Sequence, residues 1–239
     1  YSASLKHPII RTRSDNLTVE LTFDYLNSEN TILGELDTDD SIRTIKLGGT
    51  YDFVDRFRGI NLVGLSVTQG LNIMGARRSG STFLTRENGH SDFAKLNMNL
   101  AREQDLGVGF SVFSAVNGQY AFSQLLASQE YGFGGSDFGR GYDLFEISGD
   151  HGYGAKVEFR FGRESGFQFI ETFQVYSFYD VGAVWRKDKT RLGSGVRDSA
   201  ASAGAGVRLN FPPRLFGFVE VTRPITRSPT TDRDDGQTN

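Results

Sequence analysis

Side chains able to do covalent or metal chemistry are few and scattered in this sequence. His7, His90 and His151 lie far apart and match no metal-ligand spacing, so they read as surface or loop residues. There is no cysteine, which removes thiolate metal sites, disulfides and cysteine nucleophiles. No Ser-His-Asp set is marked, and enzymatic activity is not expected. The acidic stretches DTDD (37–40) and DRDDG (232–236) lack the spacing of a calcium loop that ends in Glu, and read as solvated charge in exposed loops. The glycines at 132–135 form no G-x-G-x-x-G and open no helix, so neither a nucleotide nor another cofactor is expected. Two stretches of unusual character remain: Arg140-Gly141-Tyr142 inside GGSDFGRGYD, and Phe178-Tyr179-Asp180-Val181-Gly182.

The elements that must position them are strands. Residues 17–25, LTVELTFDY, alternate without a fault between apolar and polar. The same period recurs at 45–53, 95–100, 155–161 and 203–210. About ten strands are predicted, near 2–12, 17–32, 42–56, 59–74, 93–105, 107–122, 149–163, 167–187, 199–211 and 215–227, many of them longer than soluble sheets require. Short turns at 12–16, 55–59, 102–107, 162–166 and 212–214 alternate with long connections at 33–41, 75–92, 123–148 and 187–198. Short periplasmic turns and long external loops are how outer-membrane barrels are built. Twenty Phe, nine Tyr and 29 Gly suit that class, and no apolar run is long enough for a membrane helix. A balance of 26 basic to 29 acidic residues, net −3, makes nucleic acid an unlikely partner. The competing fold is a soluble β-sandwich, which alternates in the same way because one face packs on a core.

On strand 167–187 the pattern sends Val175, Tyr179, Val181 and Trp185 to the lipid side and Phe178, Asp180 and Gly182 to the lumen. A carboxylate in that position wants a cation. If the glycine-rich loop folds back into the barrel, Arg140 can pair with Asp180 through a bidentate, charge-assisted contact. The plainer alternative leaves Arg140 as an exposed loop arginine and Asp180 as a wetted lumenal acid. Strand 215–223 gives no clear face, since Phe216 and Phe218 share one with Glu220.

FGGSDFGRGYD, ISGDHGYGAKVEFRFG, FQVYSFYDVGAVW, SAGAGVRL and FVEVTRPIT, in that order, resemble the outer-membrane transporters of two-partner secretion, the TpsB family that exports haemolysins, adhesins and contact-dependent toxins. The resemblance runs over about 1–227. It implies a sixteen-stranded barrel preceded by POTRA domains, of which this chain holds a partial C-terminal barrel, 1–239, without the POTRA domains, first strands or last strand. It implies a V-R-G-Y/F loop folded into the lumen, with the motif arginine pairing to the aspartate of F-x-D-x-G; these map onto Arg140, Gly141 and Tyr142, and onto Phe178, Asp180 and Gly182. The family's valine is Gly139 here. It also implies a bacterial outer-membrane location amid lipid and lipopolysaccharide, a secreted exoprotein as partner, and no nucleotide or cofactor; a monomeric barrel is the default expectation. The alternatives are a protein insertase of the same POTRA-barrel superfamily and a passive porin.

Overall fold

The computed structural model describes residues 1–167, 169–187, 197–227 and 229. The predicted DRDDG stretch and most of the 187–198 connection lie outside them. The chain forms β1 (Ser2–Arg11), β2 (Asp15–Ile32), β3 (Glu35–Val54), β4 (Gly59–Gly70), β5 (Ala94–Gly107), β6 (Phe110–Ala121), β7 (Tyr131–Phe133), β8 (Ile147–Gly149), β9 (His151–Glu164), β10 (Thr172–Trp185), β11 (Arg197–Phe211) and β12 (Leu215–Pro224). Ten of these make one antiparallel sheet in the order β1-β2-β3-β4-β5-β6-β9-β10-β11-β12, and β7 pairs with β8 in a separate hairpin.

The two faces of the sheet settle the choice between sandwich and barrel. Leu47, Leu65, Val67, Phe159, Val175, Tyr179, Val219 and Val221 share one face across neighbouring strands and are exposed, whereas Thr22, Thr68, Gln119, Glu158, Asp180 and Ser202 on the other face are buried. A soluble sheet buries its apolar face. Only a hydrocarbon surround makes an apolar exterior and a polar interior the stable arrangement. The long side connections lie at one end of the strands, the extracellular end, and the short turns at the other.

Two expectations need correction. The 33–41 connection is not a loop: β2 and β3 continue to Ile32 and Glu35 around Leu33 (φ 53°) and Gly34 (φ 87°). Two positive-φ residues make a tight hairpin turn whose twist matches the strands, so pairing extends well above the barrel. The acids of DTDD are not simply solvated, since Asp40 is 1% exposed and accepts from the Thr85 backbone N–H at 3.1 Å and its hydroxyl at 2.6 Å, while Asp39 pairs with Arg77. His151, expected on the surface or in a loop, is a half-buried surface residue that opens β9; it stacks on Tyr120 with ring centres 4.5 Å apart, and its Nδ1 accepts from the Ala121 N–H. His7 lies exposed on β1 and His90 exposed in the 71–93 loop, and no cluster able to hold a metal ion occurs among the described residues.

The doubtful strand, β12, resolves through its register with β11. Glu220 opposes Gly206, Phe218 opposes Arg208 and Phe216 opposes Asn210, all facing the lumen, so the outward set is Leu215, Val219 and Val221. The aromatic pair misled because it lies inside a mostly polar lumen.

These face assignments predict opposite responses from adjacent residues. Leu65→Arg, outward on β4, should cost about 2–4 kcal/mol if it lies near the bilayer midplane. Ser66→Arg, facing the lumen next to it, should cost far less, as measured by reversible denaturant unfolding of the full-length protein in lipid vesicles.

Candidate functional site: an inward-folded loop held on the lumen wall

Between β6 and β9 the chain does not stay outside. It makes a 3-10 turn (Ala127–Gln129), enters the lumen along β7, reverses through residues 134–146 and returns along β8. The β7–β8 hairpin lies against the inner face of β9, β10 and β11. Tyr131, Phe133, Tyr142 and Ile147 of this plug bury against Val184 and Ala200 of the wall, with Phe138 packed alongside.

The wall is shaped to receive these rings. Gly182 lies beside Gly154 on one strand and Ala200 on the other, in a single lumenal row. A Cβ on Gly182 would overlap the Phe133 ring, and one on Gly152 or Gly154 would meet the side chain of Tyr131. Small residues here let a loop with large side chains approach the strands closely. The β-sheet thus supplies a hollow and the loop supplies the filling.

At the tip, Gly139 (φ 85°) and Gly141 (φ 88°) flank Arg140 in left-handed backbone, which L side chains rarely adopt. Gly139 stands where the resembled family has valine. A Cβ there would come within 2.6 Å of the Phe133 ring, so in this chain glycine is what the packing of the tip requires.

Arg140 lies with its side chain 8% exposed and meets Asp180 as a fork: Nε donates to Oδ2 at 3.0 Å and Nη2 to Oδ1 at 2.8 Å. The backbone N–H groups of Gly139 and Arg140 donate to the same Oδ2 at 3.2 and 3.1 Å. Four donors therefore converge on one fully buried carboxylate, which offsets the cost of burying its charge. The guanidinium carbon lies 3.5 Å from the centre of the Phe178 ring, a cation–π contact worth about 0.5–2 kcal/mol. Tyr142 completes the tip, its hydroxyl donating to the Ala201 carbonyl at 2.9 Å. Gly182, by contrast, makes room for Phe133.

Face analysis of β10 missed the rest of the site. Arg140 Nη1 also donates to Glu158 at 2.6 Å and reaches Glu220 at 3.4 Å. Glu158, 2% exposed, accepts in turn from Arg160 Nε at 2.8 Å and Arg208 Nη1 at 3.2 Å, and Glu220 accepts from the Tyr176 hydroxyl at 2.7 Å. Arg208 stacks over Tyr176 at 3.8 Å. Alternation placed Glu158 and Arg160 on the lumenal face, but only the register β9-β10-β11-β12 puts Glu158 beside Phe178 and Glu220 beside Gly206, one and two rows from Asp180.

Known proteins give this arrangement a family. Residues 1–209 match the family model described as haemolysin secretion/activation protein ShlB/FhaC/HecB. The heme/hemopexin transporter protein HuxB of Haemophilus influenzae is 26% identical over 230 residues, covering 93% of this chain and 40% of that protein. The chain therefore spans well under half the length of that relative. Among solved structures, CdiB from Escherichia coli superposes with a TM-score of 0.79 at 15% identity, over 94% of this chain and 41% of that one. BamA from Haemophilus ducreyi lacking POTRA domains 1–3 gives a TM-score of 0.62 at 13% identity, over 95% and 50% of the two chains.

Removing one partner of the buried pair leaves an uncompensated charge, at a cost of about 3–5 kcal/mol. Arg140→Ala and Asp180→Asn should each render residues 134–146 cleavable by added protease in the folded full-length barrel, whereas the parent stays protected. Gly182→Val should do the same with the ion pair chemically intact, because it displaces Phe133. The match over residues 1–209, most of the chain, shows the family: the chain belongs to the haemolysin secretion/activation protein family of outer-membrane β-barrels, ShlB/FhaC/HecB.

Proposed function

We propose that this chain supplies pore wall and gating loop to a two-partner secretion transporter, which passes an unfolded secreted exoprotein across the outer membrane. The relatives support this reading, HuxB being described as a transporter, and a haemolysin- or adhesin-like exoprotein is the expected class of partner. In the whole protein, POTRA domains on the periplasmic side would receive the partner before it enters the barrel.

The observation that carries the proposal is the chemistry of the plug's hold. A permanent stopper would be fixed by apolar packing alone, but the tip here rests on a charged network in a lumen that water can enter. When the tip lifts, Arg140, Asp180 and Glu158 exchange hydrogen bonds with water, so the net cost is far smaller than the gross strength of the contacts. Glu158 and Glu220 lie one and two rows toward the periplasmic end from Asp180, each row being roughly 7 Å deep in a strand. The guanidinium can pass among three carboxylates, and this graded set of partners lowers the barrier to moving the plug. No covalent step or nucleotide is needed; external folding of the exoprotein would supply the direction.

The BamA likeness keeps the insertase reading as a likeness of fold. A passive porin needs no latch and predicts a steady conductance that is independent of Arg140.

The test is export of the exoprotein by full-length transporter carrying Arg140→Ala or Arg140→Lys, with barrel folding checked by heat-modifiable gel mobility. Export should collapse for Arg140→Ala and be only partly recovered by Lys, which keeps the charge and loses the fork. Undiminished export by Arg140→Ala in a folded barrel would remove the latch from the mechanism.

A further inference from the structure

A second buried ionic site lies at the opposite end of the plug, away from Arg140. Asp150, 0% exposed, sits where β8 hands over to β9. Its Oδ1 accepts from Arg86 Nη1 and from the Leu125 N–H, each at 2.7 Å, and its Oδ2 accepts from Arg86 Nη2 at 3.1 Å and from the Lys187 N–H at 2.8 Å. One carboxylate thus ties together the segment entering the plug, the segment leaving it, the end of β10 and the 71–93 loop. Burial opposes its ionisation, but the Arg86 guanidinium and the Lys187 and Leu125 amides outweigh that and hold the carboxyl below its ordinary range.

Arg86 closes the base from the other side. Its Nη1 donates to the Leu125 carbonyl at 2.8 Å and lies 2.8 Å from Glu130, which accepts from the Ser148 hydroxyl across the plug's two stems at 3.1 Å. The neighbouring Thr85 links the same base to the tall β2–β3 hairpin, its hydroxyl donating to Asp40 and accepting from the Ala127 N–H. Beneath these contacts Ile42, Phe93, Leu125 and Leu126 form an apolar cluster, each no more than 1% exposed. The base is therefore embedded in packed side chains and saturated hydrogen bonds, and breaking it exposes apolar surface as well as charge. The tip is packed and hydrogen-bonded as well, through Tyr142 and the Asp180 fork, but Gly134, Gly135, Gly139 and Gly141, all at positive φ, give the segment between them a freedom to turn that residues 124–130 and 147–150 of the base do not share.

We propose that the Arg86–Asp150 clasp is the fixed base of the plug, and that only the tip moves, pivoting on the glycine-rich neck while the clasp stays closed. Arg86, contributed by the 71–93 loop and not by the plug itself, is then a positioning residue for gating. This rests on the gating role proposed above for the Arg140 loop.

The cysteine-free sequence permits a clean test in the full-length transporter. Spin labels at Ser128 on the base and Ser136 near the tip, each paired with a wall label at Asn99, report the two ends separately. Arg140→Ala should broaden the tip distances and leave the base distances narrow. Arg86→Ala and the conservative Arg86→Lys should broaden the base distances, Lys less so because it loses the fork. A disulfide joining positions 90 and 124 across the base should leave export at the parental level. Base distances that stay narrow in Arg86→Ala, or export lost on forming that disulfide and restored by reductant, would overturn the proposal. Because the distances are read without exoprotein, they judge the clasp even if the export reading fails.

Discussion

The buried fork between Arg140 and Asp180 is the constraint around which the rest of the plug is arranged. A guanidinium and a carboxylate removed from bulk water must satisfy one another almost completely. That demand explains the two left-handed glycines beside Arg140, which turn the backbone amides of 139 and 140 onto the same oxygen. It explains Phe178 beneath the guanidinium, and Glu158, which takes up the donor that Asp180 cannot. Around this polar centre the wall recedes to glycine at 152, 154 and 182 so that Tyr131 and Phe133 can lie flat against the strands. The sheet is thus a barrel wall outside and a socket inside, built by the same alternation of side chains.

Polar fastening and apolar filling do different work in this socket. Ring packing on glycine gives the plug its place but tolerates sliding, since dispersion contacts have little direction. The ionic fork fixes the register, because it needs two oxygens and two nitrogens in one plane. A gate needs both properties: one preferred closed position, and a hold that water can replace when the position is left. Anchored at the rim by Asp150 and at the tip by Asp180, the plug is a loop fastened at two points of unequal permanence.

Much of this was legible in the residues. Period-two alternation in LTVELTFDY and AKVEFRFG gave the faces of β2 and β9, and the face of β10 put Asp180 inside before any loop was placed. What stayed hidden had local causes. The DTDD run looks like a solvated loop because the charges that meet it, Arg77 and the Thr85 donors, come from a connection more than thirty residues away. Glu220 could not be assigned because Phe216 and Phe218 break the polar pattern of its face. Asp150 carries no sequence signal, as its partners are a distant arginine and two backbone amides, which any residue type supplies. The short β7–β8 hairpin escaped because three-residue strands are too brief for a period to show.

The most direct measurement is the distance from the plug tip to the barrel wall in full-length transporter, at rest and with an exoprotein stalled in passage. Labels at Ser136 and Asn99 serve for this, read by pulsed electron spin resonance in native outer membranes. If the latch opens for transport, the resting population shows one short, narrow distance, and the stalled complex shows it displaced to longer values. An unchanged distance with the exoprotein threaded through the barrel would mean that Arg140 and Asp180 remain joined throughout, and that the plug is a fixed part of the wall.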